Sequence, residues 1–355
     1  MDEIRVAILG TKGFPDVQGG IEMHCQELYR RLASMGCRIR VYARKGYVKP
    51  ETIVFNGVEI FPIWTPRRKN IEAIVHTFLG ALHIGLHKRS FDLVHIHAVG
   101  PSLLTPVLRL FGLKVIVTNH GPDYDRQKWG YFAKMILRLG ELIGTRYATA
   151  VIAVSRHIKK TLEEKYGRDV FYIPNGVTMH DKSAPGVVMR KYDLQERKYI
   201  LAVGRIVREK GFHDIISAFS DIDTDLKLVI AGGADHEDNY TRELKERANR
   251  DRRIVMTGVM SSEALSELYS NAALFVSSSY IEGLPITVLE AMSFGLPVLI
   301  SRIPAHMELI DDESLAFNPG DMELLRDKLR EFSNMLPVTG GRASSIEFVQ
   351  NEFDW

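Results

Sequence analysis

The sequence predicts an α/β protein built of two doubly wound, Rossmann-like halves, and three observations carry that reading. Unbroken apolar, β-branched runs recur along the chain with 10 to 20 residues of amphipathic pattern between them, which describes parallel sheets covered on both faces. The 355 residues provide for two domains at about 150 residues each. The series is interrupted once, by a polar stretch containing Pro185 and Gly186.

In order, the strand runs are IRVAIL from Ile4, RIRVYA from Arg38, FDLVHI from Phe91, LKVIVT from Leu113 and AVIAVS from Ala150. After the interruption come YILAVG from Tyr199, LKLVIAG from Leu226, RIVMTG from Arg253, ALFVSSS from Ala273 and PVLIS from Pro297. The interruption, from Met179 to Arg197, follows the turn signal IPNG and reads as a linker. The expected organisation is an N-terminal domain over 1–178, a linker over 179–197 and a C-terminal domain over 198–355, with the two parallel sheets facing across a cleft. Ligands of such sheets bind beyond the carboxyl ends of the strands, so the loops after the strands are where chemistry is expected.

Composition narrows the class. With 45% apolar, 25% charged and 9% aromatic residues, the chain is neither a disordered tail, a collagen-like rod nor a disulfide miniprotein. Two cysteines, Cys25 and Cys37, make no stapling framework and read as reduced, as in a cytosolic enzyme. The opening MDEIRVAILG runs from charges straight into a strand, so no signal peptide is expected. The longest apolar helical stretch, Ile74 to Leu86, contains two histidines and falls short of the ~18 residues of a membrane span. The net charge of +2 conceals an asymmetry: residues 1–180 hold 26 Lys+Arg and 15 Asp+Glu, a balance of +11, whereas residues 181–355 hold 20 and 29, a balance of −9. Either the first half faces an anionic partner, or the two halves complement each other.

Three strand-end loops hold the candidate chemistry. GTKGFPDVQGGIE, Gly10 to Glu22, has four glycines ahead of a helix opening near Ile21. Gly19 and Gly20 there allow backbone N–H groups to approach an anion, although neither G-x-G-x-x-G nor a Walker A pattern occurs. GRIVREKG, Gly204 to Gly211, offers Arg205 and Lys210, a fork and a point charge suited to a pyrophosphate. In SSSYIEGLPITVLEAMSFGLPVLIS, Ser277 to Ser301, Pro285 suits a helix start and Gly295 its end. Glu290 is the only charged residue between Leu284 and Ile300, and so apolar a setting demands a partner for it. Glu282 precedes it by eight residues, before the Gly283-Leu284-Pro285 turn. In the first half, His120 ends a strand beside Gly121, where its ring can face a ligand.

These residues resemble a retaining glycosyltransferase of family 4, with the two-domain GT-B architecture. The resemblance rests on the E-x7-E pair Glu282 and Glu290 within EGLPITVLEAM and on the GRIVREKG loop. It rests also on IPNGV from Ile173, AVS from Ala153 and the GGIE ending at Glu22. The opening GTKGFPDVQGGIE is similar to enzymes that build bacterial cell-surface polysaccharides. The resemblance implies that Glu290 holds the ribose of a nucleotide-diphosphate sugar and that Glu282 holds hydroxyls of the transferred sugar, beside Gly283 and Leu284. It implies that Arg205 and Lys210 clamp the diphosphate, that Gly19 and Gly20 close on it, and that His120 sits against the donor sugar. The implied reaction is transfer with retention to a glycan or lipid-linked acceptor, without a cofactor. A GT-B nucleotide-sugar epimerase and a non-catalytic nucleotide-sugar-binding subunit are the alternatives.

Family members usually end with a helix that starts near a Trp and crosses back to the first domain; here EFVQNEFDW reaches Trp355 where that helix is expected to begin. Asp-x-Asp occurs at Asp123/Asp125, Asp221/Asp223 and Asp223/Asp225, about as often as chance allows, and no required metal is expected. Asp123 and Asp125, on the His120 loop, are candidates for acceptor contact. His83 and His87 lack the intervening Glu of H-E-x-x-H, and His95 and His97, alternating along a strand, read as core or cleft lining rather than metal ligands. Trp64, Arg67, Arg68 and Lys69, with Lys128, Trp129, Tyr131 and Lys134, are candidates for a basic, aromatic surface toward anionic lipid headgroups. No nucleic-acid-binding motif is present. A cytoplasmic protein, peripheral on the inner membrane face, is expected.

Overall fold

The computed structural model describes residues 3–66, 71–126, 129–234, 237–335 and 343–355. The chain divides into two compact units, Met1–Asn175 and Gly176–Trp355, slightly ahead of the expected boundary. Arg67, Arg68, Lys69 and Lys128 lie outside the described residues.

The first unit contains β1 (Arg5–Leu9), β2 (Arg38–Arg44), β3 (Val54–Phe55), β4 (Val58–Ile63), β5 (Leu93–His97), β6 (Lys114–Asn119), β7 (Ala150–Ala153) and β8 (Phe171–Tyr172). They form one sheet in the order β3–β4–β2–β1–β5–β6–β7–β8. Neighbours are parallel except in the β3/β4 hairpin. That hairpin turns on Asn56 and Gly57, whose φ values of 45° and 81° suit a two-residue Asn-Gly turn. The central strands bury Ala7, Ile8, Val41, Val94 and Val115 completely, as an apolar parallel sheet requires. The order reverses between β1 and β5, so the switch point lies there.

The second unit repeats the architecture with β9 (Tyr199–Val203), β10 (Lys227–Ala231), β11 (Ile254–Gly258), β12 (Leu274–Ser277), β13 (Val298–Ser301) and β14 (Ala316–Phe317). They run in the order β11–β10–β9–β12–β13–β14, all parallel. The switch point falls between β9 and β12. On one face, the helices Phe212–Ser220 and Met322–Asn334 pack Ile215, Phe219, Leu325 and Leu329 onto Leu228 and Ile230. Asp321 caps the second of these helices, its carboxylate accepting from Leu324 N at 3.0 Å. The Asp221–Asp225 group precedes β10, away from the strand ends where ligands bind.

The ten expected strands are all present. Four others, β3, β4, β8 and β14, were not anticipated: three are two residues long, and β4 carries Pro62 within an alternating pattern that reads as a weak edge. The polar stretch read as a linker is also better held than expected. The Ser183 amide donates to Ser270 Oγ at 2.8 Å, and Asn271 Nδ2 donates to the Ser183 carbonyl at 3.0 Å. The buried Glu267 carboxylate, on the Ser262–Asn271 helix, accepts from the amides of Gly186, Val188 and Met189 at 2.7, 3.2 and 2.8 Å. It thereby caps the short Val187–Lys191 helix and neutralises its free N–H groups. At the other end of the unit, the Ala343–Phe353 helix packs on the Ile286–Ser293 helix. The Val177 amide donates to the Phe353 carbonyl at 2.8 Å, and Val177 bridges to Asp354.

Replacing Glu267 by Ala strands three amide donors beside a buried site. We expect a stability loss of about 2–3 kcal/mol, read as a lower urea midpoint, with Glu267→Gln recovering part of it.

Candidate active site

In the second unit, β9 and β12 are neighbours, Leu201 lying opposite Phe275, so the loops that follow them meet at the switch point. Lys210 ends the Arg208–Lys210 turn, and Gly211 follows it at φ 66°. A Cβ at Gly211 would stand 2.2 Å from the Ser278 carbonyl oxygen, so only glycine permits the approach of the two loops here. Ser278 Oγ then donates to the Lys210 carbonyl at 3.0 Å, and the Tyr280 amide donates to the Glu209 carbonyl at 2.8 Å.

This fit delivers Lys210 Nζ to Glu282 Oε1 at 2.5 Å, and Ser279 Oγ donates to the same oxygen at 2.6 Å. Burial alone would raise the Glu282 pKa, but the Lys210 ammonium, through charge and hydrogen bond, together with Ser279 holds it below the ordinary glutamate value. Beneath lies a buried network. His306 Nδ1 donates to the Ser301 carbonyl at 2.8 Å, which leaves Nε2 to accept from Ser277 Oγ at 3.2 Å. Ser301 Oγ donates to the Ser279 carbonyl at 2.5 Å. Desolvation pulls the His306 ring down to about 4, so it is neutral and supports the loop as a spacer rather than a cation.

Glu290 projects from the Ile286–Ser293 helix and accepts from the Tyr269 hydroxyl at 2.8 Å. Desolvation, opposed by that one bond, pushes its pKa up to about 7. The partner that the lone carboxylate demanded is thus Tyr269, stacked on Phe294 with centroids 5.6 Å apart. Leu284 is buried and Gly283 half-buried in the turn before the helix, and Gly295 at φ 68° ends it. Arg205 is half-buried in the loop after β9.

In the first unit, the helix Gly20–Ser34 follows the glycine loop as expected. The buried Glu22 carboxylate turns back on that loop: one oxygen accepts from the Lys12 amide at 3.2 Å, and the other packs against Gly19. Part of the positive helix terminus is therefore met by the chain's own carboxylate. His120 follows β6 and joins a chain of buried groups. Its Nε2 lies 2.9 Å from His97 Nδ1, and His97 Nε2 lies 2.5 Å from the Tyr29 hydroxyl. That hydroxyl lies 2.8 Å from His95 Nδ1, and His95 Nε2 lies 2.7 Å from Thr118 Oγ1. Desolvation lowers the rings of His24 to about 4 and His95 to about 3, and those of His97 and His120 well below the ordinary value, so all are neutral. Each neutral ring donates once and accepts once, and Tyr29 has one proton, so the chain runs in one of two senses. In one, His120 presents Nδ1–H at its far side; in the other, it presents the Nδ1 lone pair.

Asp123 pairs with Arg126 at 2.8 Å and Asp125 is exposed on the short Asp123–Asp125 turn. His83 and His87 stack with centroids 4.2 Å apart, His83 bonding Tyr42. Sequence reasoning missed His24, Tyr29, Tyr269 and His306. A run of three serines before Glu282 was the available signal for the last; the others had none, because each comes from an element distant in sequence.

The residues 18–180 match the family described as Glycosyltransferase Family 4, and residues 188–336 the one described as Glycosyl transferases group 1. The uncharacterized glycosyltransferase MJ1607 of Methanocaldococcus jannaschii is 27% identical over 336 residues, covering 87% of this chain and 83% of that one. The UDP-Gal:alpha-D-GlcNAc-diphosphoundecaprenol alpha-1,3-galactosyltransferase of Escherichia coli is 26% identical over 246 residues, 64% of this chain and 62% of that one. The crystal structure of Anabaena HepE in complex with UDP-glucose superposes with a TM-score of 0.78 at 16% identity, over 99% of this chain and 96% of that one. Two doubly wound parallel sheets of this kind are the domains of the GT-B fold. With one part of the chain matched to Glycosyltransferase Family 4 and another to Glycosyl transferases group 1, the chain is a glycosyltransferase of the GT-B type, similar to those of family 4.

Because Glu290 holds a proton up to about pH 7 in the folded chain and only to about 4.5 when unfolded, its contribution to stability is fully present below pH 4.5 and is lost as pH rises through 7. Glu290→Gln, which cannot ionise, is expected to melt higher than the parent above pH 7 by up to about 2–3 kcal/mol of stability. The advantage should shrink toward pH 5. Thermal melts of both proteins across pH 5–8 check this.

Proposed function

We propose that the protein transfers a sugar, with retention of anomeric configuration, from a nucleotide-diphosphate donor to a glycan or lipid-linked acceptor in cell-surface polysaccharide synthesis. The observation that carries this reading is the Lys210–Glu282 pair at the second switch point, with Glu290 eight residues on along the same segment. The HepE complex supports a uridine nucleotide sugar as the first donor class to try, and the E. coli relative acts on a diphosphoundecaprenol-linked sugar.

In this reading Glu290 accepts from the ribose hydroxyls and Glu282 from hydroxyls of the transferred sugar. Arg205, Lys210 and the free N–H groups before the Ile286–Ser293 helix meet the diphosphate. The acceptor oxygen bonds to the anomeric carbon on the face from which the diphosphate departs. The carbon–oxygen bond to the phosphate breaks, and the acceptor's proton passes to a phosphate oxygen. The protein's contribution is electrostatic: fixed cations and dipoles stabilise charge developing on the leaving diphosphate. His120 bears on the donor sugar. No cofactor takes part and no metal is required, the cations supplying the field that a divalent ion supplies elsewhere.

Incubation with nucleotide sugars, with and without acceptor, tests this. Nucleotide diphosphate release that needs an acceptor and persists in EDTA is expected. Sugar isomers without transfer would instead indicate an epimerase, binding without turnover a non-catalytic subunit, and restoration of a chelated, dead enzyme by Mn²⁺ a metal-dependent transferase.

The reading extends to the membrane. No helix among the described residues is long and apolar enough to cross one. However, the neighbouring helices Glu72–Leu86, Thr105–Leu110 and Tyr131–Tyr147 expose Phe78, Leu82, Leu110, Tyr131, Phe132, Met135, Ile136 and Leu139, with Phe132 74% accessible. Such a face, on the half with a balance of +11, suits the boundary of an anionic bilayer on its cytoplasmic side. Phe132→Glu with Ile136→Glu is expected to abolish co-sedimentation with anionic vesicles at low salt while leaving transfer to a soluble acceptor intact. A parent protein that stays in the supernatant would remove the membrane from the proposal.

A further inference from the structure

Among the described residues, one group of histidines has the arrangement of a cation site. His24 comes from the Gly20–Ser34 helix, His97 from the end of β5 and His120 from the residue after β6. Their candidate ligand nitrogens all lie within 4.8 Å of one another, and His97 Nδ1 and His120 Nε2 are already 2.9 Å apart. The His24 ring stands edge-on to both, with centroid separations of 5.8 and 5.2 Å. We propose that these three imidazoles form a binding site for a divalent transition-metal cation of the zinc class.

The donor set selects the ion. Zinc takes imidazole nitrogen at about 2.0–2.1 Å, which places neighbouring ligand nitrogens roughly 3.3 Å apart. The rings therefore reach that geometry by shifts smaller than a bond length or two, and their elements are a helix and two central strands. Calcium and magnesium seek oxygen ligands, and this site offers none. His24 and His97 are buried while His120 is partly exposed, which leaves a position on the open side for water or an incoming group, as in sites with three protein ligands. The fourth clustered histidine, His95, stands outside the group because its nitrogens turn to the hydroxyls of Tyr29 and Thr118, whereas His97 turns Nδ1 to another candidate ligand, His120.

The surrounding hydrogen bonds suit the role. A metal on His97 Nδ1 requires the proton of that ring to sit on Nε2 and be donated to Tyr29. Tyr29 then donates to His95 Nδ1, and His95 Nε2–H donates to Thr118 Oγ1. The cation thus fixes one of the two senses of the chain, and Tyr29 becomes the outer partner that orients a ligating imidazole. Metal on Nε2 of His120 also fixes the proton of that ring on Nδ1, at its far side. This second consequence alone rests on the function proposed above: the ion then selects the state that the ring presents to the donor sugar, so transferase activity changes on binding and the change is reversed by chelation.

The test is a titration of the EDTA-treated, dialysed full chain with Co²⁺, followed by its visible absorption, and then displacement by Zn²⁺. One equivalent per chain with the intense bands of a low-coordinate Co²⁺ site is expected. The affinity should be lost in His24→Gln, weakened about 10–100-fold in Tyr29→Phe and unchanged in the exposed His87→Gln. His120→Gln, at a partly exposed ring, provides the same readout should His24→Gln not fold. Absence of the bands at one equivalent, or equal bands in His24→Gln and His120→Gln, overturns the site. Stoichiometric binding without any change in transferase activity supports the site and overturns instead the placement of His120 at the donor.

Discussion

The Glu282 carboxylate, held between Lys210 and Ser279, is the interaction around which the strand ends of the second unit are organised. Withdrawing a carboxylate and an ammonium from water is unfavourable by several kcal/mol for each ion, so the pair persists only where every neighbour is correctly placed. Gly211 admits the Ser278 carbonyl; the Ser278 and Tyr280 bonds join the two loops; Ser301 and the neutral His306 support Ser279 from below. In the function proposed above, an anion arriving here would meet an ammonium whose position is already set and compete for it with a carboxylate then released toward hydroxyl donors. On that proposal one contact couples recognition of a phosphate to recognition of a sugar.

The first unit meets the same topological problem with neutral groups. Beside its switch point, between β1 and β5, lies a row of neutral rings whose order comes from directionality: each imidazole and the Tyr29 hydroxyl passes one proton along. Hydrogen bonds in such a low-dielectric chain polarise one another, so a change at Thr118 is felt at His120. Glu22, turned back toward Gly19 and Lys12, meets part of the helix terminus at which the glycine loop suggested an anion site. The two units thus share a fold while dividing the labour, charge in one and tautomer in the other.

How much of this was legible follows from the physics of each part. Parallel strands buried on both faces must be apolar, so the ten long runs could be read directly. The hairpin β3/β4 and the two-residue strands β8 and β14 draw their stability from neighbours instead of their own pattern. Glu290 stood out as a lone charge on an apolar helix, and Lys210 as a cation after a strand. Their partners did not, since Lys210 meets Glu282 only because β9 and β12 adjoin, 72 residues apart in the chain. His97 was read as core or cleft lining, and it is buried; its convergence with His24 and His120 depends on three separate elements. The stretch around Pro185 has the composition of a linker, and Glu267, far along the chain, is what binds it down.

The pairing of Val177 with Phe353 and Asp354 has a consequence for the order of events during synthesis. The first unit is complete once residue 175 has left the ribosome, and domains generally fold as they emerge. The second unit instead joins Val177 to Phe353 and Asp354, and the Ala343–Phe353 helix packs on the very helix that carries Glu290. Until translation has passed Asp354, that helix lacks its cover and the Tyr269–Glu290 pair lies near an unfinished surface. The unit that carries Glu282 and Glu290 therefore matures after the first, and the Glu290 helix gains its cover only in chains that have been translated through Asp354.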